Sequence, residues 1–315
     1  MTVELTAAAA DPAPTRRRRR PAPRRGPGPT RAMGLAFVGP YVVLMLAFGI
    51  IPAVYAVALA FSRADGGFAG LDNFVRVITD FRFLPAVQHV AVYLVLWLVM
   101  LTVLVVVLAL VLHAVTTRWV SRALRLLYYL PGALAGASAV LLWLFVLNPD
   151  AGPAGPLLKA MGFETFAQTI QPGNLPLVFA VIAFWTGAGQ WVIVMYGALN
   201  NIPTEVMEAA RIDGANPVQI ALRIQLPLLR KWIAYMAVLA LAAGTQLFVE
   251  PTLLSQASTG VVPNDYSVNQ LAYQYAFNLS DFNGAAAIAV LLLVVSVALS
   301  AVFVLRGGLF DTEEP

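Results

Sequence analysis

Six apolar stretches, each long enough to cross a lipid bilayer, dominate this 315-residue chain. A spanning helix needs about 20 apolar residues, because every backbone N–H and C=O inside the hydrocarbon core must be paired within the segment. The stretches lie at 36–61, 89–112, 124–147, 175–199, 232–254 and 285–305. The sequence therefore predicts an all-α, polytopic membrane protein with six transmembrane helices.

The composition agrees with this class of protein. Hydrophobic residues make up 60% of the chain and charged residues only 11%, which is too little charge for the surface of a soluble protein of this length. The absence of cysteine excludes disulfides, thiolate catalysis and cysteine metal sites. His89 and His113 stand alone near the ends of apolar runs, and we expect packed or interfacial histidines there, not metal ligands.

Proline and glycine interrupt several of the apolar stretches. Breaks such as Pro40, Pro131 and Gly244 survive in lipid only where neighbouring helices or a cavity satisfy the freed backbone groups. The small-residue run at 131–138 favours close contact between helices. These stretches are therefore expected to pack against protein and not only against lipid.

The basic residues indicate the orientation of the chain. All but four of the 20 Lys and Arg residues fall on one side of the predicted spans, the exceptions being Arg63, Arg76, Arg82 and Lys159. The positive-inside rule then places both termini and the 200–231 loop in the cytoplasm. The loops at 62–88, 148–174 and 255–284 are predicted to face outward.

The termini form separate predicted segments. Residues 1–34, rich in Ala, Pro and Arg, are expected to be a disordered basic tail attracted to anionic lipid, and nucleic-acid binding is not expected. The small residues at 58–60 resemble a signal-peptide cleavage site, but the preceding apolar run is too long, so a retained first helix is expected. The transmembrane domain is predicted at 35–308 and a short cytoplasmic tail at 309–315.

The chain lacks an energy source of its own. Within the predicted spans the only Asp, Glu, Lys or Arg residues are Arg125, at one end of the third, and Glu250 in the fifth, whereas secondary transporters usually carry several such residues. No phosphate-binding G-x-x-x-x-G-K-[ST] sequence is present. Convergent acid, base or metal ligands are missing as well, so no catalytic residue and no metal site are predicted.

The polar segment between the fourth and fifth stretches predicts two short helices. Thr204 is expected to cap the first helix and Gly214 to end it in the left-handed conformation. Asn216, Pro217 and Gln219 predict the start of a second helix with a capping box. Pro227 is expected to end that helix. From these residues alone, the segment is either an amphipathic connector on the membrane surface or a coupling element for another protein.

The same segment resembles a known family motif. Glu208-Ala209-Ala210, Asp213-Gly214-Ala215 and Leu226-Pro227 match, at the same spacing, the EAA loop of ABC-importer permeases. The resemblance covers nearly all of the chain after the basic tail and is closest to the carbohydrate-uptake branch, the permeases similar to the maltose and glycerol-phosphate subunits. Further matches are Phe37-Val38-Gly39-Pro40, Gly70-Leu71-Asp72-Asn73-Phe74, Leu199-Asn200-Asn201-Ile202-Pro203 and Gly284-Ala285-Ala286-Ala287. The branch's L-T-x-G-G-P run is replaced here by Leu254-Ser255-Gln256-Ala257-Ser258-Thr259-Gly260, and Gln225 stands where threonine is common.

The resemblance implies a type I ABC-importer permease fold with a cytoplasmic coupling helix, in a bacterial plasma membrane. It implies three partners besides the lipid bilayer: a second permease, a cytoplasmic ATPase dimer that binds ATP and Mg²⁺, and an extracellular solute-binding protein. No cofactor is expected in this chain. The residues that would couple to the ATPase are Glu205, Glu208, Ala209, Ala210, Asp213, Gly214 and Ala215.

The solute pathway is predicted from side-chain chemistry. Aromatic faces and hydrogen-bonding groups in a partly apolar cavity suit a sugar, and the candidates are Trp185, Gln190, Trp191, Gln246 and Glu250. The same residue types also serve as interfacial anchors and helix bridges. A permease for a polyol phosphate, amino acid or peptide is the alternative of the same fold, and a channel or scaffold subunit is the alternative of another class.

Overall fold

The computed structural model describes residues 31–134 and 136–306. Within these ranges the chain is helical, apart from one isolated antiparallel bridge between Ser62 and Phe68. Among the described residues, five helices are long and apolar enough to cross a membrane, and a bent pair of helices makes a sixth candidate, the third in chain order, when the pair is taken as one span. In that order the spans are Ala36–Ala60, Phe83–Ala114, Arg118–Ala133 with Gly136–Val146, Leu175–Asn200, Pro217–Gly244 and Phe282–Leu305. The predicted all-α membrane fold is confirmed, and most of the predicted terminal tails lies outside the described residues.

The chain divides into two compact units after Pro52. The described part of the first unit consists of the Arg31–Met45 helix, with Pro40 inside it, a π-helical turn at Leu46–Ile50 and the start of the Ile51–Ala60 helix. The second unit begins at Ala53 and contains every other helix. Shorter helices connect its spans, at Asp72–Ile78, Gly155–Ala160, Phe166–Thr169, Thr204–Ile212, Val249–Ala257 and Val268–Tyr273.

The third span is bent, which the prediction of one continuous span at 124–147 did not anticipate. Its first part, Arg118–Tyr129, tightens into a 3₁₀ turn at Leu130–Ala133, and the next helix leaves at 101°. Pro131 has no N–H to continue the hydrogen-bond ladder. Gly136 starts the second part at a φ of +41°, a conformation that glycine adopts readily.

The fifth span has different ends from those predicted at 232–254. It begins at Pro217 and ends at Gly244, and a separate helix follows at Val249–Ala257. Pro227 does not end the preceding helix, because the π-helical turn at Ala221–Gln225 lies directly before it. A π-helical turn pairs each carbonyl with an N–H five residues ahead instead of four. This change falls where Pro227 has no N–H to donate, so the helix continues through Pro227.

The core of the second unit lies between the second and fourth spans. Its largest fully buried side chains include Leu101, Leu112, Phe179, Ile182 and Met195.

Two glycines bring the third span close to the fourth. A Cβ on Gly132 would lie 2.9 Å from the carbonyl oxygen of Thr186, and one on Gly189 would overlap the carbonyl of Tyr128. The close approach predicted for the small-residue run is confirmed at Gly132.

Both histidines pack against tyrosines. The His89 ring stacks on Tyr266 with 4.3 Å between ring centroids, and its Nδ1 lies 3.1 Å from the Tyr266 carbonyl oxygen. The carbonyl is an acceptor only, so this contact requires the proton on Nδ1. His113 contacts the ring of Tyr196 edge-on.

An ionic cluster ties the loop before the second span to the segment before the sixth. Arg82 donates to Asp80 through Nε and Nη2 at 3.0 and 2.7 Å, and the Tyr275 hydroxyl donates to Asp80 at 2.7 Å. The side-chain hydrogen bonds from Arg82 hold the pKa of Asp80 well below its usual range. Burial, followed by the bond to Asp80, raises the pKa of Tyr275 to about 12.

Candidate functional site

The predicted coupling segment forms a helix followed by a tight turn. The Thr204–Ile212 helix ends at Asp213, and Gly214 has a φ of +80°. The N–H of Gly214 donates to the carbonyl of Arg211, and that of Ala215 donates to Ala210 at 3.0 Å. A left-handed residue followed by this backward bond is a Schellman motif, which pairs carbonyls that the helix end would leave free. The predicted role of Gly214 as the helix terminator is confirmed.

The second helix begins with the predicted capping box. Asn216 Oδ1 accepts from the N–H of Gln219 at 2.9 Å, and Gln219 Oε1 accepts from the N–H of Asn216 at 2.8 Å. These two bonds, together with Pro217 at the first position, fix the start of the helix. The predicted cap at Thr204 is wrong, because the capping position is Pro203 and no side chain caps that helix.

One face of the Thr204–Ile212 helix is exposed and combines acidic with apolar side chains. Glu205, Glu208, Ala209 and Ile212 lie on this face, and Ile212 is 86% exposed. Their spacing of three and four residues places them side by side on a helix. We call these four residues the docking face.

The remaining predicted coupling residues lie elsewhere on the segment. Ala210 is buried on the opposite side of the helix, whereas Ala215 is half-buried and Asp213 and Gly214 are exposed in the turn. Sequence reasoning missed Ile212. The spacing of Ile212 from Glu205, Glu208 and Ala209, at intervals of three or four residues on one helix, was the signal that could have found it.

A cavity of 420 Å³ lies among the second, fourth and fifth spans. Gln190 and Trp191 of the fourth span both line it, as the sequence predicted, and Gly187 lies on the same helix face. Trp97 of the second span and Tyr235 of the fifth complete its aromatic lining. The Trp191 and Tyr235 rings meet edge to face with 6.0 Å between centroids.

Trp97 lines this cavity with its ring, and its Nε1 is buried in the protein. Its side chain is 7% exposed, and its buried Nε1 has no hydrogen-bond partner. Gly244 makes room for the ring, because a Cβ there would lie 2.5 Å from Trp97 Cζ3. The aromatic rings that line this cavity are suited to stacking on the face of a sugar.

The other predicted pathway residues lie apart from this cavity. Trp185 packs edge-on against Trp143, with 5.8 Å between ring centroids. Gln246 lines a separate groove of 660 Å³ along the fifth and sixth spans, together with Thr245, Asn269 and Ser296. Glu250 lies in the first turn of the Val249–Ala257 helix, beyond the end of the fifth span.

Metal binding has no support among the described residues, which contain no group of three or more His, Asp or Glu side chains able to hold an ion. The polar lining of the two cavities consists of amides, hydroxyls and ring N–H groups. This chemistry binds neutral polar solutes by hydrogen bonding and stacking.

The helical fold, with its capped turn between the fourth and fifth spans, defines a transporter permease. The chain belongs to the family described as the binding-protein-dependent transport system inner membrane component, which matches residues 35–306. It is therefore a multi-pass membrane subunit of a transporter and not a catalytic subunit.

Relatives across this family are similar over most of their length. The sn-glycerol-3-phosphate transport system permease protein UgpA of Escherichia coli is 30% identical over 283 residues, covering 87% of this chain and 93% of that protein. The multiple sugar-binding transport system permease protein MsmF of Streptococcus mutans is 27% identical over 271 residues, covering 83% and 90%.

A solved structure has the same fold. The crystal structure of a bacterial ABC transporter involved in the import of the acidic polysaccharide alginate includes a chain that superposes with a TM-score of 0.76 at 23% identity. The superposition covers 88% of this chain and 95% of that one. The permease fold of an ABC importer is thereby confirmed.

Proposed function

We propose that this chain is one of two permeases in a binding-protein-dependent importer of a sugar or oligosaccharide. The docking face carries the proposal: Glu205, Glu208, Ala209 and Ile212 are exposed together on a helix whose far end is fixed by Gly214. An exposed isoleucine flanked by carboxylates fits a partner groove that is apolar at its centre and basic at its rim. The partner is a cytoplasmic ATPase that binds ATP and Mg²⁺.

The turn at 213–216 makes the docking face suitable for transmitting force. Its Schellman motif and capping box join the end of the Thr204–Ile212 helix to the start of the fifth span through a hydrogen-bonded turn. Switching a pathway between 1:99 and 99:1 populations requires a bias of about 5.5 kcal/mol, which a rigid connection delivers and a loose loop dissipates. ATP-driven movement of the docking face therefore reorients the fifth span, which lines both cavities.

The solute passes the cavity lined by Trp97, Gln190, Trp191 and Tyr235. Aromatic rings stack on sugar faces, while the Gln190 amide bonds hydroxyl groups. None of the residues lining this cavity is a Lys or Arg, which favours a neutral solute over a phosphorylated one. The similarity to a sugar-transport permease supports the same choice. A polyol phosphate stays the second candidate, because the glycerol-phosphate permease is 30% identical.

The basic residues support an orientation with both termini and the docking face in the cytoplasm of a bacterial cell. An extracellular binding protein then delivers the solute from the opposite side, and the binding-protein-dependent family description supports such a partner.

Filling the cavity tests the pathway. A Cβ at Gly187 meets no atom within 4 Å, so Gly187→Leu places its side chain in the cavity without displacing the helix. The matched control is Gly197→Leu on the same helix, where the space is also open and the side chain does not line this cavity. In proteoliposomes with the partner subunits, we expect Gly187→Leu to lower oligosaccharide uptake at least tenfold and Gly197→Leu to leave it unchanged. Equal uptake by the two variants would exclude this cavity from the pathway.

A further inference from the structure

The Asp72–Ile78 helix, in the loop between the first and second spans, has three distinct sides. Phe74 and Val77 are buried on one side, where the helix packs against the sixth span. Asp72, Arg76 and Thr79 form a polar side. Arg76 pairs with Asp281 at 2.8 Å from that side.

The third side of this helix is apolar and uncovered. Leu71, Val75 and Ile78 are 64%, 58% and 51% exposed. Their spacing of four and three residues places them in one row along the helix. One apolar side is enough for this helix to pack on the rest of the protein. The second apolar side, the exposed row, is therefore expected to contact something else.

The exposed row continues into the second span. Phe81, 85% exposed, and Leu84, 61% exposed, follow Ile78 at intervals of three residues, and the second span begins at Phe83. Exposed apolar side chains are thus present on the helix, in the turn at 79–82 and in the first turn of the second span. The charged side chains of Asp80 and Arg82, between these positions, instead bind each other and Tyr275.

We propose that the Asp72–Ile78 helix lies in the lipid–water interface, with Leu71, Val75 and Ile78 among the phospholipid acyl chains. The loop leaves one span at Ala60 and enters the next at Phe83, so this helix lies at the depth where both spans reach the membrane surface. A helix that is apolar below, polar above and buried along one edge is suited to that position. The Gly70-Leu71-Asp72-Asn73-Phe74 motif then supplies one residue to each surface: Leu71 to lipid, Asp72 to water and Phe74 to protein.

This position gives the helix a task in the fold. Asn73, on the same helix, donates to the carbonyls of Ala60 and Ser62 at 2.9 and 2.8 Å, at the end of the first span. Arg76 ties the helix to Asp281 before the sixth span. A helix held at the membrane surface therefore sets the depth of both span ends.

Nitroxide labelling tests the proposal directly, since the natural chain has no cysteine. The variants are Val75→Cys and Ile78→Cys on the apolar row, with Asp72→Cys and Thr79→Cys as controls on the same helix; all four side chains are exposed, so the labels leave the core intact. The protein is reconstituted in phosphatidylglycerol–phosphatidylethanolamine liposomes with the subunits that co-purify. Collision of each label with oxygen, which concentrates in lipid, is compared with collision with a water-soluble nickel chelate.

We expect oxygen to dominate several-fold at 75 and 78 and the nickel chelate to dominate at 72 and 79. Nickel access at 75 and 78 equal to that at 72 would show that water covers the row and would overturn the proposal. Protection of 75 and 78 from both reagents would overturn it too, by showing a protein partner in place of lipid.

Discussion

Asn73 and Asn283, far apart in the chain, both donate a hydrogen bond to the carbonyl oxygen of Ser62, each at 2.8 Å. Asn73 also donates to Ala60, and Asn283 to Leu59. The last carbonyls of a helix have no partner within it, so side-chain amides are well suited to the end of the first span. The Asp72–Ile78 helix and the start of the sixth span are thereby fastened to one helix end.

Removing either amide should destabilise the protein. Asn73→Ala removes the donor to the buried Ala60 carbonyl, at a cost of about 1–3 kcal/mol. Asn283→Ala removes two hydrogen bonds to carbonyls that keep another donor, at a smaller cost of about 1 kcal/mol. We expect a lower unfolding temperature in detergent for each variant. Asn278→Ala is the control, because Asn278 is exposed and bonds only the side chain of Gln274. Unfolding temperatures for Asn73→Ala and Asn283→Ala that match this control would refute the account.

The ionic cluster around Asp80 predicts an acid-sensitive loop. The pKa of Asp80 is lower in the folded protein than in the unfolded chain, where it is about 3.9. The ionised Asp80 therefore contributes its full stabilisation of the fold above about pH 3.9, and this stabilisation is lost as the pH falls further. Asp80 should therefore cause no change in the unfolding temperature between pH 7 and 5. Below about pH 4, protonation of Asp80 should lower the unfolding temperature.

Asp80→Asn tests this linkage. The variant should be less stable than the natural protein at pH 7 and should lose less stability on acidification, because its amide does not titrate. An unchanged acid slope, measured by thermal unfolding from pH 7 to 3, would assign the acid sensitivity to other carboxylates.

Two glycines of the fourth span should respond oppositely to alanine. A Cβ at Gly189 overlaps the backbone of Tyr128, whereas one at Gly187 enters open space. Overpacking against backbone costs typically about 1–3 kcal/mol, so Gly189→Ala should destabilise the protein. Gly187→Ala should be neutral or stabilising, by up to about 1 kcal/mol of helix propensity. Thermal unfolding of the two variants side by side checks this, and equal stability would contradict the close approach.

The turn at Gly214 should govern coupling. No atom lies within 4 Å of a Cβ built there, so the expected penalty for valine is backbone strain at a φ of +80°, of order 1–3 kcal/mol. We expect Gly214→Val to hydrolyse ATP with little solute uptake in proteoliposomes.

Asparagine adopts the left-handed conformation more readily, so Gly214→Asn should retain most of the transport. Gly197→Val, in open space at an ordinary φ, is the matched control. Normal uptake by Gly214→Val at normal abundance would show that the turn is not required for coupling.

The features of the coupling segment that depend on neighbouring residues could be predicted from the sequence. The capping box at Asn216 and Gln219 and the helix end at Gly214 follow from neighbouring residues, and both occur as expected. The end of the fifth span was misplaced, because an apolar run continues past Gly244 although the helix does not. Hydrophobicity alone does not show where such a helix ends.

The cavity shows the other limit of sequence reasoning. Gly187, Gln190 and Trp191 share a helix face that the sequence could reveal. Trp97 and Tyr235 join them only because three spans pack together, which depends on contacts between residues distant in the chain. Because of the same packing, Trp185 contacts Trp143 and does not line the cavity.

The most direct test of the central claim is co-purification of partner subunits with the natural chain and with Glu208→Lys, which reverses a charge on the docking face. Glu164→Lys, an exposed charge reversal in the loop between the third and fourth spans, is the control. We predict that a nucleotide-binding ATPase and a second permease purify with the natural protein and with Glu164→Lys. The ATPase should be lost or strongly reduced with Glu208→Lys, while the second permease is retained. Recovery of no ATPase with the natural protein in mild detergent, or equal recovery with all three, would contradict the coupling role of the docking face.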